Sequence, residues 1–551
     1  MSVADTAHYD AGARAFAAGD LVGACRQFEL QLERDPDHVP SLVDLGVTLF
    51  MSDQPERAIP MFERALVLMP GNAGIETNLA RAVEGAGRPV AAEALWRAAV
   101  ARDPKDANAR HHLGKVLLAQ ARHHEALTAF ATAVECAQGA TRALCWRAYL
   151  NTQNYMDDVS PARILAENMR YVGEYAPRGV ARPEPRDPDP KRKLRVGYVT
   201  SDLRAHSVAR NMLGIFAHRN RAAFEAHVYA EIERPDSFTQ IFSGLSDGWV
   251  STIGMDDDAA AARIKADGID VLVLVAGHFD RNRLGILLRR PAPVQIAVYD
   301  VCTQGTEAID AIVLDPTMCA GRADRFVERM LRTRHVYVHP PLENTPELAT
   351  PPCIAKGHVT FGSANNPSKM SSRTYDLWAA ALAAVPGSKL RLKFMRAYAE
   401  EAMRTMVIKR FVLRGIAAER IEFEVGAIGR DAHLDFYSGV DVALDSFPFT
   451  GSTTTFEALW MGVPVVSLRG LTVPARWTAA ILARAGREEW CADDTEGFAG
   501  IAARLAREAP GQDRAALRAA VAASSICDLP AQARAYERLY RAMWSRICRN
   551  P

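Results

Sequence analysis

The 551-residue chain lacks most of the features that would place it outside the cell or in a membrane. Its nine cysteines (Cys25, Cys136, Cys145, Cys302, Cys319, Cys353, Cys491, Cys527 and Cys548) are scattered and contain no CxxC pair, so they offer neither a disulfide framework nor zinc-ligand spacing. They are expected to be reduced thiols of a cytoplasmic protein. No apolar run approaches the roughly 18 residues a membrane span needs, and the opening Met-Ser-Val-Ala-Asp has neither the basic nor the apolar region of a secretory leader. An excess of charge is missing too. With 66 basic and 65 acidic residues there is no global field to recruit nucleic acid or an anionic membrane, so any anion site must be local. No GxGxxG follows a candidate first strand, which argues against a dinucleotide cofactor, and no aspartate pair stands at metal-binding spacing. No cofactor and no metal are therefore expected.

What is present begins with a repeat. Ala24, Ala58, Ala92 and Ala126 recur every 34 residues, and Phe28, Phe62, Trp96 and Phe130 follow four positions later. Pro36, Pro70 and Pro104 keep the same step, as do Gly12, Gly46 and Gly114, with Ala80 in the remaining slot. A small residue where two helices cross, an aromatic ring beside it and a proline ending the second helix describe a helical hairpin repeat. The phase and residue types resemble the tetratricopeptide repeat. Gln138 stands where the next proline is due, so the array is expected to be capped or fused to something helical there. Such arrays offer a concave groove for a peptide or protein, although the array could also only space the protein or pair two copies into a homodimer. His111, His112, His123 and His124 read as surface residues at helix ends rather than metal ligands.

A helical stretch over 140–176 and a Pro-rich, charged segment ending at Lys193 lead into alternating strands and helices. Apolar strands are expected within Leu194–Asp202, running into a loop with His206, within Ile269–His278, ending in a loop, and at Val294–Tyr299, and the pattern restarts at His358–Ser363. Further strands are expected at Leu390–Phe394, Ile421–Val425 and Val440–Leu444, with helices over 371–385 and 399–416. Alternation of this kind predicts parallel sheets that bind ligands at strand C-terminal ends. The most informative stretch is LDSFPFTGSTTTFEALWMGVPVVSL at 444–468: a strand end, a small-residue loop, a helix opening on Ser452, Thr453 and Thr454, and a second buried strand. The unpaired N–H groups of a helix start, at the positive end of its dipole, suit a phosphate. The expected division is 1–140 for the repeats, 141–193 for a linker, 194–345 for a first catalytic lobe and 346–551 for a nucleotide-binding lobe.

Together with RVGYVTSDLRAHSV at 195–208, RRPAPVQ at 289–295 and FGSANNPSK at 361–369, this stretch resembles the O-GlcNAc transferase and SPINDLY family of glycosyltransferases. The resemblance implies a tetratricopeptide solenoid followed by two Rossmann-like α/β lobes of GT-B type, with a nucleotide-sugar in the interlobe cleft. By position, His206 matches the family histidine at the reacting centre, and Asn366 and Lys369 match residues that hold the donor phosphates. Thr453 and Thr454 match the hydroxyl pair at the phosphate-binding helix start. Arg430 and His433 match residues packed on base and ribose, Glu457 an acidic residue on the ribose, and His278 a Gly-His pair that could face the sugar.

The chain also departs from the family. Arg210 replaces a second histidine, and Ser452 stands where the O-GlcNAc enzymes have a histidine. The loop Val298-Tyr299-Asp300-Val301-Cys302-Thr303-Gln304-Gly305-Thr306 replaces a Trp-Leu-Gly-Tyr-Pro-Gly-Thr loop against the donor sugar. Tyr299, Asp300, His278 and Arg210 are thus candidates for an altered sugar or acceptor pocket. Arg210 could pair with a sugar carboxylate, which keeps a nonulosonic-acid donor and a flagellin acceptor open beside hexose and fucose. The expected activity is inverting, metal-independent transfer from a UDP-, GDP- or CMP-linked sugar to Ser or Thr of a protein recruited by the repeats, with Lys369 neutralising the leaving phosphate. The alternatives are a non-catalytic repeat scaffold with a degenerate transferase domain, and a transferase acting on small molecules.

Overall fold

The computed structural model describes residues 6–319, 325–425 and 430–549. Helices Ala7–Ala17, Leu21–Arg34, Val39–Met51, Pro55–Leu68, Ala73–Gly85, Pro89–Arg102, Ala107–Ala119 and His123–Cys136 form four antiparallel hairpins. The period of 34 has a steric basis. A Cβ added at Gly12, Gly46 or Gly114 would lie 2.6 Å from the ring of Phe28, Phe62 or Phe130, so glycine lets the two helices of each hairpin close over the aromatic. In the third hairpin Ala80 faces a different ring, Trp96, whose indole N–H donates to Glu84 at 3.2 Å and which stacks on His112 at 4.6 Å. After Gln138 the helical path continues through Gly139–Gln153 and Pro161–Tyr175.

Two of the four histidines expected at the surface are in fact buried. His111 and His123 are each 7% exposed, His111 against the Phe130 ring and His123 against the Ser368 carbonyl and the Tyr155 ring.

The first sheet contains β1 (Leu194–Thr200), β2 (Phe224–Ala230), β3 (Gly248–Ser251), β4 (Val271–Val275), β5 (Val294–Val298), β6 (Ala311–Leu314) and β7 (Arg329–Arg332), in the order β3-β2-β1-β4-β5-β6-β7. The second contains β8 (Thr360–Ser363), β9 (Lys389–Leu392), β10 (Ile421–Phe423), β11 (Val442–Leu444), β12 (Val465–Leu468) and β13 (Cys491–Ala492), in the order β10-β9-β8-β11-β12-β13. Every pairing is parallel. Strand order reverses direction between β1 and β4 in one sheet and between β8 and β11 in the other, and such switch points open a crevice at the strands' C-terminal ends.

The boundary drawn at residue 346 needs one correction. The final helix, Leu529–Arg549, returns to the first lobe, where Tyr536, Tyr540 and Trp544 are buried in its core. Gln532 donates to the Asn211 carbonyl at 2.7 Å, and the Trp544 indole to Asp189 at 3.0 Å. An amphipathic helix late in the chain carries no local signal of which lobe covers it.

The array is fastened to both lobes. The Glu400 carboxylate accepts from the Val90 and Ala91 N–H groups, both at 2.9 Å, capping a repeat helix from the second lobe, and Arg410 donates to the Gln120 carbonyl at 2.9 Å. On the other side, Asn151 donates to His278 O at 2.9 Å and Arg147 to Asn282 O at 3.2 Å.

Candidate active site

The site is built at the second sheet's switch point. From β8 the chain runs through Asn365 and Asn366 into the short 3-10 turn Pro367–Lys369, which Asn366 caps by accepting from the Ser368 N–H at 3.0 Å. From β11 it runs through Asp445 to the helix Thr453–Trp460. Lys369 joins the two, its ammonium donating to the Thr450 carbonyl at 3.1 Å and lying 4.6 Å from the centre of the Phe449 ring. Only part of the Lys369 side chain meets solvent. Burial pushes its ammonium down to about 8, against the pull of the Asp445 carboxylate.

The helix start is open. Its first internal bond runs from the Phe456 N–H to Ser452 O at 3.0 Å, so the N–H groups of Thr453, Thr454 and Thr455 precede the ladder. Among the described residues the Ser452 and Thr453 hydroxyls have no partner, and both residues are partly exposed. A cation brought by the fold beside a helix N-terminus that carries free hydroxyls makes an anion site.

Asp445 organises the loop between them. It is buried, and it accepts from the N–H groups of Ser446 (2.9 Å) and Gly451 (2.7 Å), from Asn365 (3.2 Å) and from the Ser467 hydroxyl (2.7 Å). Burial raises its carboxyl pKa, while Thr478, Ser467, the Gly451 N–H and the Lys369 ammonium pull the other way. His433 Nε2 and Glu457 Oε2 lie 3.0 Å apart, so the two residues matched to the ribose hold one another. The side chain of Arg430 lies outside the described residues.

In the first lobe His206 caps the helix Ser207–Ala217 directly after β1, its Nδ1 accepting from the Val208 N–H at 3.4 Å. The same nitrogen is 3.9 Å from Asp202 Oδ1. Asp202 is fully buried and accepts from Ser201 Oγ at 3.0 Å and from Asn282 Nδ2 at 2.9 Å, which ties the loop after β4 to the loop after β1. Burial raises the Asp202 carboxyl pKa, with His206 acting in the opposite sense.

Glycosyl transferase family 41 matches residues 183–339 and 353–536. The chain belongs to this family. The SPINDLY protein of Arabidopsis thaliana, named a probable UDP-N-acetylglucosamine-peptide N-acetylglucosaminyltransferase, is 29% identical over 371 residues, covering 66% of this chain and 40% of that protein. The Solanum lycopersicum protein of the same name is 30% identical over 371 residues, 65% of this chain and 39% of that one. The chain thus spans about two-fifths of the length of these curated relatives. A solved O-GlcNAc transferase of Thermobaculum terrenum, a mutant form, matches over 99% of this chain and 98% of its own, with a TM-score of 0.79 and 29% identity. The family 41 architecture of a helical array followed by two parallel-sheet lobes is therefore shared end to end with that structure.

Compared with the expectations from sequence, this family 41 chain brings Asn366, Lys369, Ser452, Thr453 and Thr454 together at one switch point, and His433 of a neighbouring helix pairs with Glu457 further along the helix Thr453–Trp460. His206 stands at the switch point of the other lobe. Of the candidates for an altered sugar pocket, His278, Tyr299 and Asp300 lie in the first lobe's interior, and Arg210 is half-buried. His278 is buried with its ring edge-on to Tyr171 at 4.9 Å, and burial, reinforced by Arg147, pushes its imidazole down to about 3. The Tyr299 hydroxyl donates to Asn211 O at 2.8 Å and accepts from Gln532 at 3.0 Å. Asp300 is buried with neither carboxylate oxygen bonded, and burial, then Glu328, raises its pKa well above the carboxylate range. Arg210 lies over the Phe238 ring at 5.8 Å. Asn365, Asp445 and Asp202 were not singled out from sequence, although each lies inside a motif that was.

Proposed function

We propose that this family 41 glycosyltransferase moves a sugar from a nucleotide-sugar to a serine or threonine hydroxyl of a peptide recruited by the repeat array, with inversion. The observation that carries this reading is the meeting of Lys369 with the open helix start at Ser452 and Thr453, while the other lobe carries His206 at its own switch point. The acceptor oxygen forms the new bond to the anomeric carbon as the bond to the nucleotide phosphate breaks and the phosphate leaves with the electron pair. His206 takes the hydroxyl proton, and Lys369 with the helix start stabilises the charge growing on the phosphate.

The names of the SPINDLY relatives make UDP-linked N-acetylglucosamine the first donor to try. Arg210 and the 298–306 loop keep GDP- and CMP-linked sugars, the latter with a carboxylate, in the same panel. The test is thermal stabilisation of the full chain by UDP, GDP and CMP, with Lys369→Ala alongside. A ligand at about 100 times its dissociation constant adds roughly 2.7 kcal/mol to the state that binds it. Stabilisation by one nucleotide, lost in the variant, is the expected result. Stabilisation by none of them points to the scaffold reading instead.

A further inference from the structure

The repeat array reaches the anion site itself. His123, first residue of the last repeat helix His123–Cys136, is buried, and its Nε2 lies 2.7 Å from the carbonyl oxygen of Ser368, the residue before Lys369. A carbonyl only accepts, so Nε2 carries the proton and donates. The His123 ring is near-parallel to that of Tyr155, 6.3 Å away at 11°. Tyr155, in the turn after the helix Gly139–Gln153, in turn stacks on Phe449 at 4.6 Å and 14°. Phe449 is the ring over which the Lys369 ammonium sits at 4.6 Å. Two routes therefore run from the array to one ammonium. One is a hydrogen bond to the backbone of its turn, and the other is a run of rings ending on the face that carries it.

We propose that the last repeat and the turn after the helix Gly139–Gln153 form a working wall of the donor site, with His123 and Tyr155 acting as positioning residues that hold Lys369 where it meets a nucleotide phosphate. The inference rests on the donor-site reading above and adds a second role for the array beyond peptide recruitment. Neither residue touches the reacting atoms. Without the His123 donor the Ser368 carbonyl is left unpaired in a buried place, and without the Tyr155 ring Phe449 loses one face of its packing and water reaches Lys369.

The experiment uses the full chain in two pairs, His123→Leu with His123→Gln and Tyr155→Ala with Tyr155→Phe. Glutamine keeps an N–H donor, and phenylalanine keeps the stacking ring. Two readouts are taken: affinity for whichever of UDP, GDP and CMP the unsubstituted chain binds best, and the pH midpoint of Lys369 acylation followed by peptide mass spectrometry. The first member of each pair is expected to weaken nucleotide binding by roughly tenfold. Tyr155→Ala is expected to move the labelling midpoint upward from about 8 as the ammonium is hydrated. The conservative partners are expected to restore both. Should Tyr155→Ala lower the thermal midpoint of the unliganded chain, Tyr155→Leu, which fills the space without a ring to stack, replaces it. Unchanged affinity and an unchanged midpoint in the disruptive variants overturn the proposal, as does a loss the conservative variants fail to restore. If the unsubstituted chain binds none of the three nucleotides, the donor-site reading is what falls, and the labelling midpoint alone decides whether Tyr155 positions Lys369.

Discussion

The Thr454 hydroxyl donates to the side-chain carbonyl of Asn365 at 2.8 Å, and this bond fastens the anion-facing helix to the strand end that leads to Lys369. Thr453 and Thr454, adjacent and identical in sequence, therefore have different roles. Thr453→Val is expected to weaken nucleotide binding about tenfold with little change in the unliganded protein, since its hydroxyl has no partner among the described residues. Thr454→Val is expected to lower the unliganded stability by about 1–3 kcal/mol, because Asn365 is left with an unpaired buried acceptor. Calorimetric titration and denaturant unfolding of both variants check the split. Equal behaviour of the two contradicts it.

Lys369 sets a pH dependence whose sign follows from its depressed pKa. Between about 8 and the usual 10.5 the unfolded chain holds a proton on this lysine that the folded chain has released. Over that window the group's contribution to stability rises with pH, and below about 8 its full penalty is present. A phosphate needs the ammonium, so nucleotide affinity is expected to be flat below about 8 and to fall above it. Lys369→Arg is expected to remove the fall in that range, because guanidinium stays charged. Affinity measured from pH 7 to 10 on both proteins tests this, and a wild-type curve as flat as the arginine variant's contradicts it.

Asp202 is placed to act through His206. Nδ1 accepts from the Val208 N–H here, and exchanging that bond for one to Asp202 Oδ1, 3.9 Å away, would put the ring proton on Nδ1 and leave Nε2 as the acceptor of the substrate proton. Asp202→Asn is expected to lower kcat by about a hundredfold while leaving nucleotide affinity unchanged. Loss of nucleotide binding in this variant would mean that Asp202 serves the fold of the loop instead.

In the repeat array, Gly114→Ala is expected to destabilise the folded chain by about 1–3 kcal/mol, because the new methyl would stand 2.6 Å from the Phe130 ring. Adding Phe130→Leu is expected to recover part of the loss, as an independent pair would not. Unfolding curves of the single and double variants measure the coupling.

Much of this architecture is legible in the sequence because its determinants are local. The repeat shows through a steric pairing of Gly with Phe at a fixed step, and β1, β4, β5, β8 and β12 through short apolar runs. The edge strands β3 and β7 do not, since they are four residues long and partly exposed and so lack an apolar run. Ser452 to Thr454 stand out because a helix start rich in small hydroxyl residues is a local pattern, whereas Lys369, far earlier in the chain, stands out only through the motif it shares with the family. Their supports do not, because Asn365 meets Asp445 across 80 residues and His123 meets Ser368 across 245. The expectation that Tyr299, Asp300 and His278 face the sugar could not anticipate the C-terminal helix, whose Gln532 reaches the Tyr299 hydroxyl from 233 residues away, or the helix 161–175 whose Tyr171 lies against His278.

Transfer itself is the most direct test of the central claim. The full chain is incubated with a Ser/Thr peptide library and UDP-, GDP- and CMP-linked sugars in separate reactions, and the peptides are read by intact-mass and fragment-ion spectrometry beside Lys369→Ala. The account predicts a mass increase of one sugar residue on a Ser or Thr with a single class of donor, and its loss in the variant. No addition from any donor, or addition that Lys369→Ala leaves unchanged, contradicts it.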